Sequence, residues 1–484
     1  MKFKLLILAI STWVVFTSLV NICPPATELN KALDELAKSE YLKNGQISFT
    51  LLDTLGKPIC NYHSEKYLSP ASNLKLLPSA AALDILGEDF TFKTTIGYSG
   101  KIINNVLEGD IIIQGFGDPT LGSSRFAKYP NFDDLLSLWF LKIKAAGINS
   151  VKGNIIANSG MFSFNTIPDG WIWTDIGNYY GAGAGGININ ENQYRLIFKP
   201  GIVGEQALVL RTEPSIPYLK FINEMKTGKS GSGDQGYIFG GPFSEVKFLK
   251  GTIPAGVPEF SIKGSIPDPA YYLAFSLHKK LQENNVKVSG KSLNAQLEHT
   301  KFDVNVIELH TQYSPPLSEI VKEINYHSIN LYAEALLNML GYHQLGTGNT
   351  NTGLQVLQDW LLKKGVTLPK NCLQDGSGLS PTNSISSEVL TKVLFQNKNR
   401  KSFVQALPVS GQSGTLKNFC TSQETVGRII AKSGSYNRVI GYSGYIVNQQ
   451  GKLQAFSILI NNYNGSYSEI RKQIEMILAK AVKV

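Results

Sequence analysis

Signatures for metal and nucleic-acid chemistry are both missing from this chain. It holds only six histidines in 484 residues, and no two form a His-x-x-x-His pair, so neither a metal centre nor a cofactor is expected. Charged residues make up 17% and the formal net charge is +9, yet no run of five or six Lys or Arg occurs. That pattern predicts a solvated basic surface and no nucleic-acid partner, although such a surface tolerates an anionic polymer. Internal repeats and low-complexity tracts are also absent. Only one long apolar run is present, from Leu5 to Val20.

That run follows a short basic start in "MKFKLLILAISTWVVFTSLV" and reads as an export signal over residues 1–25. It is slightly short for a spanning helix, which makes an uncleaved anchor the lesser reading and leaves peripheral membrane association open. Cys23 follows Ile22 where a small residue is wanted, which argues against lipid attachment. An exported chain keeps Cys60, Cys372 and Cys420, and in an oxidising envelope the expected disulfide joins Cys372 to Cys420.

What is abundant is glycine (45) together with Tyr (21) and Phe (23), a composition of strands and turns. Residues 26–92 give a helix ("ELNKALDELAKSEYL"), two strands and a second helix ("SNLKLLPSAAALDIL"). From residue 93 to 265, short β-branched runs alternate with Gly, Asn and Asp turns, which reads as an all-β insert. Residues 266–484 return to helices, then to strands with a hairpin turn near Gly451, and close on an amphipathic helix. The fold class expected is therefore α+β: one domain built from both chain ends, with a large β-rich insert between.

Three short motifs carry chemistry. Ser72-Asn73-Leu74-Lys75 opens a predicted helix, where residues three apart share a face and the Lys amine reaches the Ser hydroxyl. Ser328-Ile329-Asn330 falls at a loop-to-helix junction. Lys432-Ser433-Gly434 falls in a predicted strand, with a glycine that lets a ligand approach the backbone. Singly, these are an ordinary helix start, an N-cap and an edge-strand lysine. In this order, on helix, loop and strand, they form the signature of penicillin-binding proteins and serine β-lactamases.

"LSPASNLKLLPSAAAL", "GFGDPTLG", "HSINLYAEALL", "DGSGLSPTN", "GQSGTL" and "AKSGSYNRVIGYSGY" further resemble the class C low-molecular-mass penicillin-binding proteins. These are D-alanyl-D-alanine carboxypeptidases and endopeptidases with a transpeptidase-like domain and a large insert between the first two motifs. The similarity runs from about residue 30 to the C-terminus. It implies that Ser72 forms an acyl-enzyme with Lys75 as general base, that Ser328 relays a proton and that Lys432 tunes that hydroxyl. Ser433, with Lys432 and next to Gly434, would hold the terminal carboxylate, Asn330 the peptide amide, and the N–H groups of Ser72 and Ser435 the oxyanion. Asp175, in "GWIWTDIGNYYGAG", would face a substrate side chain and suit the amine of a diaminopimelate-type stem peptide. The implied partners are peptidoglycan stem peptides, with β-lactams as covalent inhibitors, and the implied location is the periplasm or cell envelope.

Three departures stand out: Ser433 replaces the usual Thr, Ser413 replaces a common Asp in "GQSGTL", and Pro78 should kink the helix beyond Lys75. A β-lactamase shares the motifs, but no separate deacylating Glu appears in a matching context. A silent wall-binding protein of the same fold is the other reading. A second Lys-Thr-Gly, at 226–228 in "MKTGKSGSG", precedes Ser328 and so is out of order. The glycine that a phosphate loop needs five residues earlier is Asn223. This stretch is expected to be a mobile loop of the insert.

Overall fold

A computed structural model describes residues 24–299 and 305–484. Residues 1–23, which hold Cys23 and all but the last two residues of the expected export signal, lie outside the described residues. No described helix is long and apolar enough to cross a membrane.

The two chain ends meet in one antiparallel sheet. Its strand order is Ile429–Tyr436, Val439–Val447, Leu453–Asn461, Gln46–Leu52 and Pro58–Tyr62. Side chains alternate faces along each strand, so neighbours in sequence enter different cores. Ile458 and Ile460 pack with the terminal helices Pro24–Lys38 and Tyr467–Ala481. Leu459 packs on the other side with helices Leu76–Ile85, Asn330–Leu345 and Ser387–Asn397. A β-hairpin turns at Gly451, whose φ of 76° favours glycine.

The same two-faced sheet separates the cysteines. Cys372 lies in the core on one face, while Cys60 and Cys420 lie on the other. All three are free and buried, so the expected Cys372–Cys420 disulfide is corrected: the sheet stands between them. Burial pushes the Cys60 and Cys420 thiols up to about 12, which keeps them as unreactive neutral groups at neutral pH.

The region between is less uniformly β than its composition suggests. Helix Phe132–Ala145 buries Leu135, Leu136, Trp139 and Ile143 along one stripe, and Asn131 caps it by accepting from the Asp133 and Asp134 N–H groups. Helix Pro269–Glu283 joins the same core through Leu273, Leu277 and Leu281. Strand pairing carries the insert well past residue 265. Ser292–Asn294 adds beside Ile155–Asn158, and Ile307–Tyr313 beside Lys93–Tyr98. We therefore place the end of the insert near residue 313. The change from strand to helix at residue 269 is a second layer of one unit, not a return to the first.

Lys226-Thr227-Gly228 is the end of a nine-residue strand, Lys220–Gly228, and not a mobile loop. Thr227 is buried and its hydroxyl accepts from the Gly201 N–H, so the stretch is structural.

Candidate active site

Ser72 and Lys75 sit in a 3₁₀ turn, Ala71–Lys75, which hands over to the α-helix Leu76–Ile85. Three residues per turn aligns positions i and i+3 more closely than an α-helix does. Lys75 Nζ lies 2.8 Å from Ser72 Oγ and donates to the Ser377 carbonyl at 2.6 Å. Pro78 falls in the first turn of the following helix, where its missing N–H is not needed. The expected kink is instead the change of helix type at Lys75, and the Ser–Lys turn is untouched by it.

Ser328 occupies the single joint between helices Leu317–His327 and Asn330–Leu345, in the left-handed region at φ 58°, ψ 40°. A serine there costs on the order of 1 kcal/mol, so the surrounding packing must hold it. It is the C-cap of the first helix and not the N-cap of the second, which is Ile329. The tight reversal delivers Ser328 Oγ to Lys432 Nζ at 2.9 Å, and Lys432 also donates to the Ser433 carbonyl at 2.5 Å. Two Ser–Lys pairs thus face one site.

Both lysines are fully buried. Burial lowers Lys75 from 10.5 to about 7, against the nearby carboxylates of Asp375 and Glu334, which act to raise it. Burial, and then the charge of Lys75, hold Lys432 well below its ordinary value. Near neutral pH Lys75 is therefore in large part an uncharged amine able to accept a proton.

Strand Ile429–Tyr436 forms the edge of the sheet and lies against the Ser72 turn. A Cβ at Gly434 would come within 2.7 Å of the Ser72 backbone nitrogen and 2.6 Å of Asn73 Nδ2. Only glycine lets strand and turn approach this closely. Gly434→Val is expected to cut the rate of penicillin acylation at least tenfold with the far-UV circular dichroism unchanged; an unaltered acylation rate would refute the tight-contact role.

A cleft of about 640 Å³ opens above these groups, lined among others by Ser72, Ser328, Asn330, Ser435 and Asp175. Lys75 and Lys432 lie beneath it, and Ser433 points its hydroxyl to Thr415 at 2.8 Å. Asn330 Nδ2 donates to the Tyr180 carbonyl at 2.7 Å, tying the second motif to the insert. Asp175 lies on the short helix Trp173–Ile176 from that insert; burial raises its pKa, and the Tyr180 hydroxyl beside it acts in the opposite sense.

Several residues that build the site carry no role in the motif reading. Glu334 is buried in an apolar helix and accepts from the Gly376 and Ser377 N–H groups at 2.8–3.1 Å. Asp375 accepts from the Gly378 and Ser380 N–H groups at 2.7 Å each, and from Trp171 Nε1 of the insert at 2.9 Å. Together they fold the 375–380 loop so that the Ser377 carbonyl meets Lys75. The signal for Glu334 is an acid inside the apolar run "LYAEALLNML"; for Asp375 it is the glycine-rich "DGSGLS".

The chain is similar to several known proteins. The model of a family described as D-Ala-D-Ala carboxypeptidase 3 (S13) matches residues 29–481. A D-alanyl-D-alanine carboxypeptidase of Actinomadura sp. (strain R39) is 27% identical over 454 residues, covering 91% of this chain and 82% of its own. The D-alanyl-D-alanine carboxypeptidase DacB of Haemophilus influenzae is 23% identical over 413 residues, covering 84% and 83%. The crystal structure of penicillin binding protein 4 (dacB) from Haemophilus influenzae matches with a TM-score of 0.77 at 22% identity, over 94% of this chain and 97% of that one. The likeness bears out the α+β fold of antiparallel sheet flanked by helices.

Proposed function

Because the chain belongs to the D-Ala-D-Ala carboxypeptidase 3 (S13) family, we propose that it hydrolyses the terminal D-Ala-D-Ala bond of peptidoglycan stem peptides through an acyl-enzyme on Ser72. The observation that carries this reading is the convergence of two Ser–Lys pairs with buried lysines, Ser72 with Lys75 and Ser328 with Lys432, on one cleft.

In the proposed sequence the Ser72 hydroxyl gives its proton to the neutral Lys75 amine as its oxygen attacks the carbonyl of the penultimate D-Ala. The N–H groups of Ser72 and Ser435 receive the developing oxyanion. The C–N bond then breaks, and the proton held by Lys75 passes through Ser328, beside Lys432, to the departing D-Ala amine, which leaves Lys75 neutral again. Water attacks the ester as Lys75 accepts its proton, and Lys75 returns that proton to the Ser72 oxygen as the acyl–oxygen bond breaks. Asn330 and the strand at Ser433 and Gly434 align the peptide and its terminal carboxylate. The same chemistry cleaves a peptide cross-link when the leaving group is the amine of a neighbouring stem.

A β-lactam presents the same acyl carbonyl, so covalent inhibition is proposed as well; the Haemophilus influenzae protein has been crystallised with one. Among the carboxylates at the cleft, Glu191 is occupied by Ser123, Arg125 and Gln193, which leaves it unsuited to activate a deacylating water. That favours a long-lived acyl-enzyme over a β-lactamase. The site of action proposed is the periplasm or envelope, reached through the export signal.

Fluorescent penicillin should label the protein covalently with the adduct on the peptide containing Ser72, and a pentapeptide ending in D-Ala-D-Ala should release D-Ala. Labelling without D-Ala release would turn the reading toward a silent binding protein. At Asp175, replacement by Asn should raise KM about tenfold for a stem peptide bearing a free amine, with kcat within twofold; equal KM values would remove Asp175 from recognition.

A further inference from the structure

A second cavity lies between the insert and the chain-end domain, away from the Ser–Lys pairs. It encloses about 330 Å³. One wall comes from the insert loop 163–169, the floor from helix Thr350–Lys363, and the other wall from residues 371–374. The insert loop is fastened to the floor where the Ser163 N–H donates to the Gly348 carbonyl at 2.8 Å.

Its chemistry is unusual for a surface pocket. Carboxamides line all three sides: Asn351, Gln355 and Gln358 on the helix, Asn371 and Gln374 opposite, and Asn165 on the insert. Asn351, Gln355 and Gln358 are spaced four and three apart, so they project from one helix face into the cavity. Among the described residues these three side chains have no hydrogen-bond partner. Their donors and acceptors are open to a ligand. Leu354 and Leu373 add apolar surface between the amides.

The lining contains no Lys or Arg, and Asp169 is its single acidic side chain. A stem peptide would bring a carboxylate here with no cation to receive it, next to a like charge. A neutral ligand rich in hydroxyl and acetamido groups fits instead, because each amide both donates and accepts, and a carboxylate accepts well from sugar hydroxyls. Cavities of this size at the meeting of two units are where ligands bind most often.

The cavity also shares a loop with the catalytic cleft. Asn371 and Gln374 line the one, while Gly378 and Leu379 line the other, and the Ser377 carbonyl between them meets Lys75. On the insert side, Trp171 follows the 163–169 loop and donates to Asp375.

We propose that this cavity is a saccharide subsite that holds the N-acetylated glycan strand of peptidoglycan while its stem peptide reaches the Ser72 cleft. The assignment rests on the proposed peptidase function, but its test does not use the chemistry of Ser72.

The probe is a β-1,4-linked N-acetylglucosamine tetramer, titrated calorimetrically into the full chain. Saturable one-site binding is expected, weakened at least tenfold by the double substitution Asn351→Ala with Gln355→Ala. Both positions are exposed on a helix, where alanine favours the helix, so the fold should survive. The variant should release D-Ala from a soluble pentapeptide at a rate within twofold of wild type, yet act several-fold more slowly on intact sacculi. No saturable binding, or equal binding by the variant, overturns the subsite. So does displacement of the tetramer by a sugar-free stem peptide, which would make it a peptide site. If Ser72 fails to be labelled by penicillin while the tetramer binds, the peptidase reading falls and the saccharide subsite stands.

Discussion

Alanine at position 72 is expected to abolish covalent labelling by penicillin and to stop D-Ala release. The effect should be of the order found when the nucleophile of another serine hydrolase is removed, about 10⁶-fold in turnover. The substitution deletes one oxygen and little else. Lys75 keeps its bond to the Ser377 carbonyl, the turn keeps the buried Leu74, and Gly434 still packs against the backbone. The melting temperature should therefore move by no more than a few degrees, which separates lost chemistry from lost structure. Intact-mass analysis after incubation with penicillin is the measurement. An adduct on the variant would place the nucleophile elsewhere, and Ser328, the second hydroxyl paired with a buried lysine, would be the first position to test.

The serines and lysines of that site were legible because each motif lies on a short element whose geometry is local. Ser72 and Lys75 meet through one turn, and Ser328 is fixed by the joint between two helices. The contact between Ser328 and Lys432 is different: 104 residues separate them, and only the order and spelling of the motifs pointed to it. Glu334 and Asp375 escaped because they bind backbone N–H groups 42 or 43 residues away or within their own loop, and for Asp375 an indole N–H 204 residues away, and such bonds leave no spacing in the sequence.

The fold was legible where alternation was clean, as in the strands at the chain ends. It was misread where a unit mixed layers. "NFDDLLSLWFLKIKAAG" has a capping Asn, an acidic first turn and a basic last turn, yet it lay among strand-like runs and took their label. The end of the insert was missed for a related reason, since the three-residue strand Ser292–Asn294 shows its partner only in space. Lys226-Thr227-Gly228 shows the converse, a motif correctly rejected by order but wrongly made a loop, because its buried Thr227 is satisfied by a residue 26 positions earlier.

Lys75→Met is expected to lower the rate of acylation by penicillin about 10³-fold or more without lowering the melting temperature. Loss of a general base costs on the order of 10²–10⁴ in rate. Stability behaves oppositely because the native site holds the lysine against its preference. Its pKa falls from 10.5 in the unfolded chain to about 7 in the buried site, so near neutral pH the unfolded state binds the proton more tightly. A displacement of that size disfavours folding by roughly 5 kcal/mol at pH 7 and below, and the penalty fades as pH rises toward 10.5. Methionine removes the penalty but leaves the Ser377 carbonyl without its donor, which offsets part of the gain. The wild-type rate supplies the second readout. Acylation should follow the neutral fraction of Lys75, rising through pH 7 and levelling above about 8. Asp375 acts to raise Lys75 more strongly than Glu334 does, so Asp375→Asn should move that rise to lower pH, a shift that a merely structural residue would not produce. A flat profile from pH 6 to 9, or a Lys75→Met protein that still acylates within tenfold of wild type, would remove Lys75 as the base.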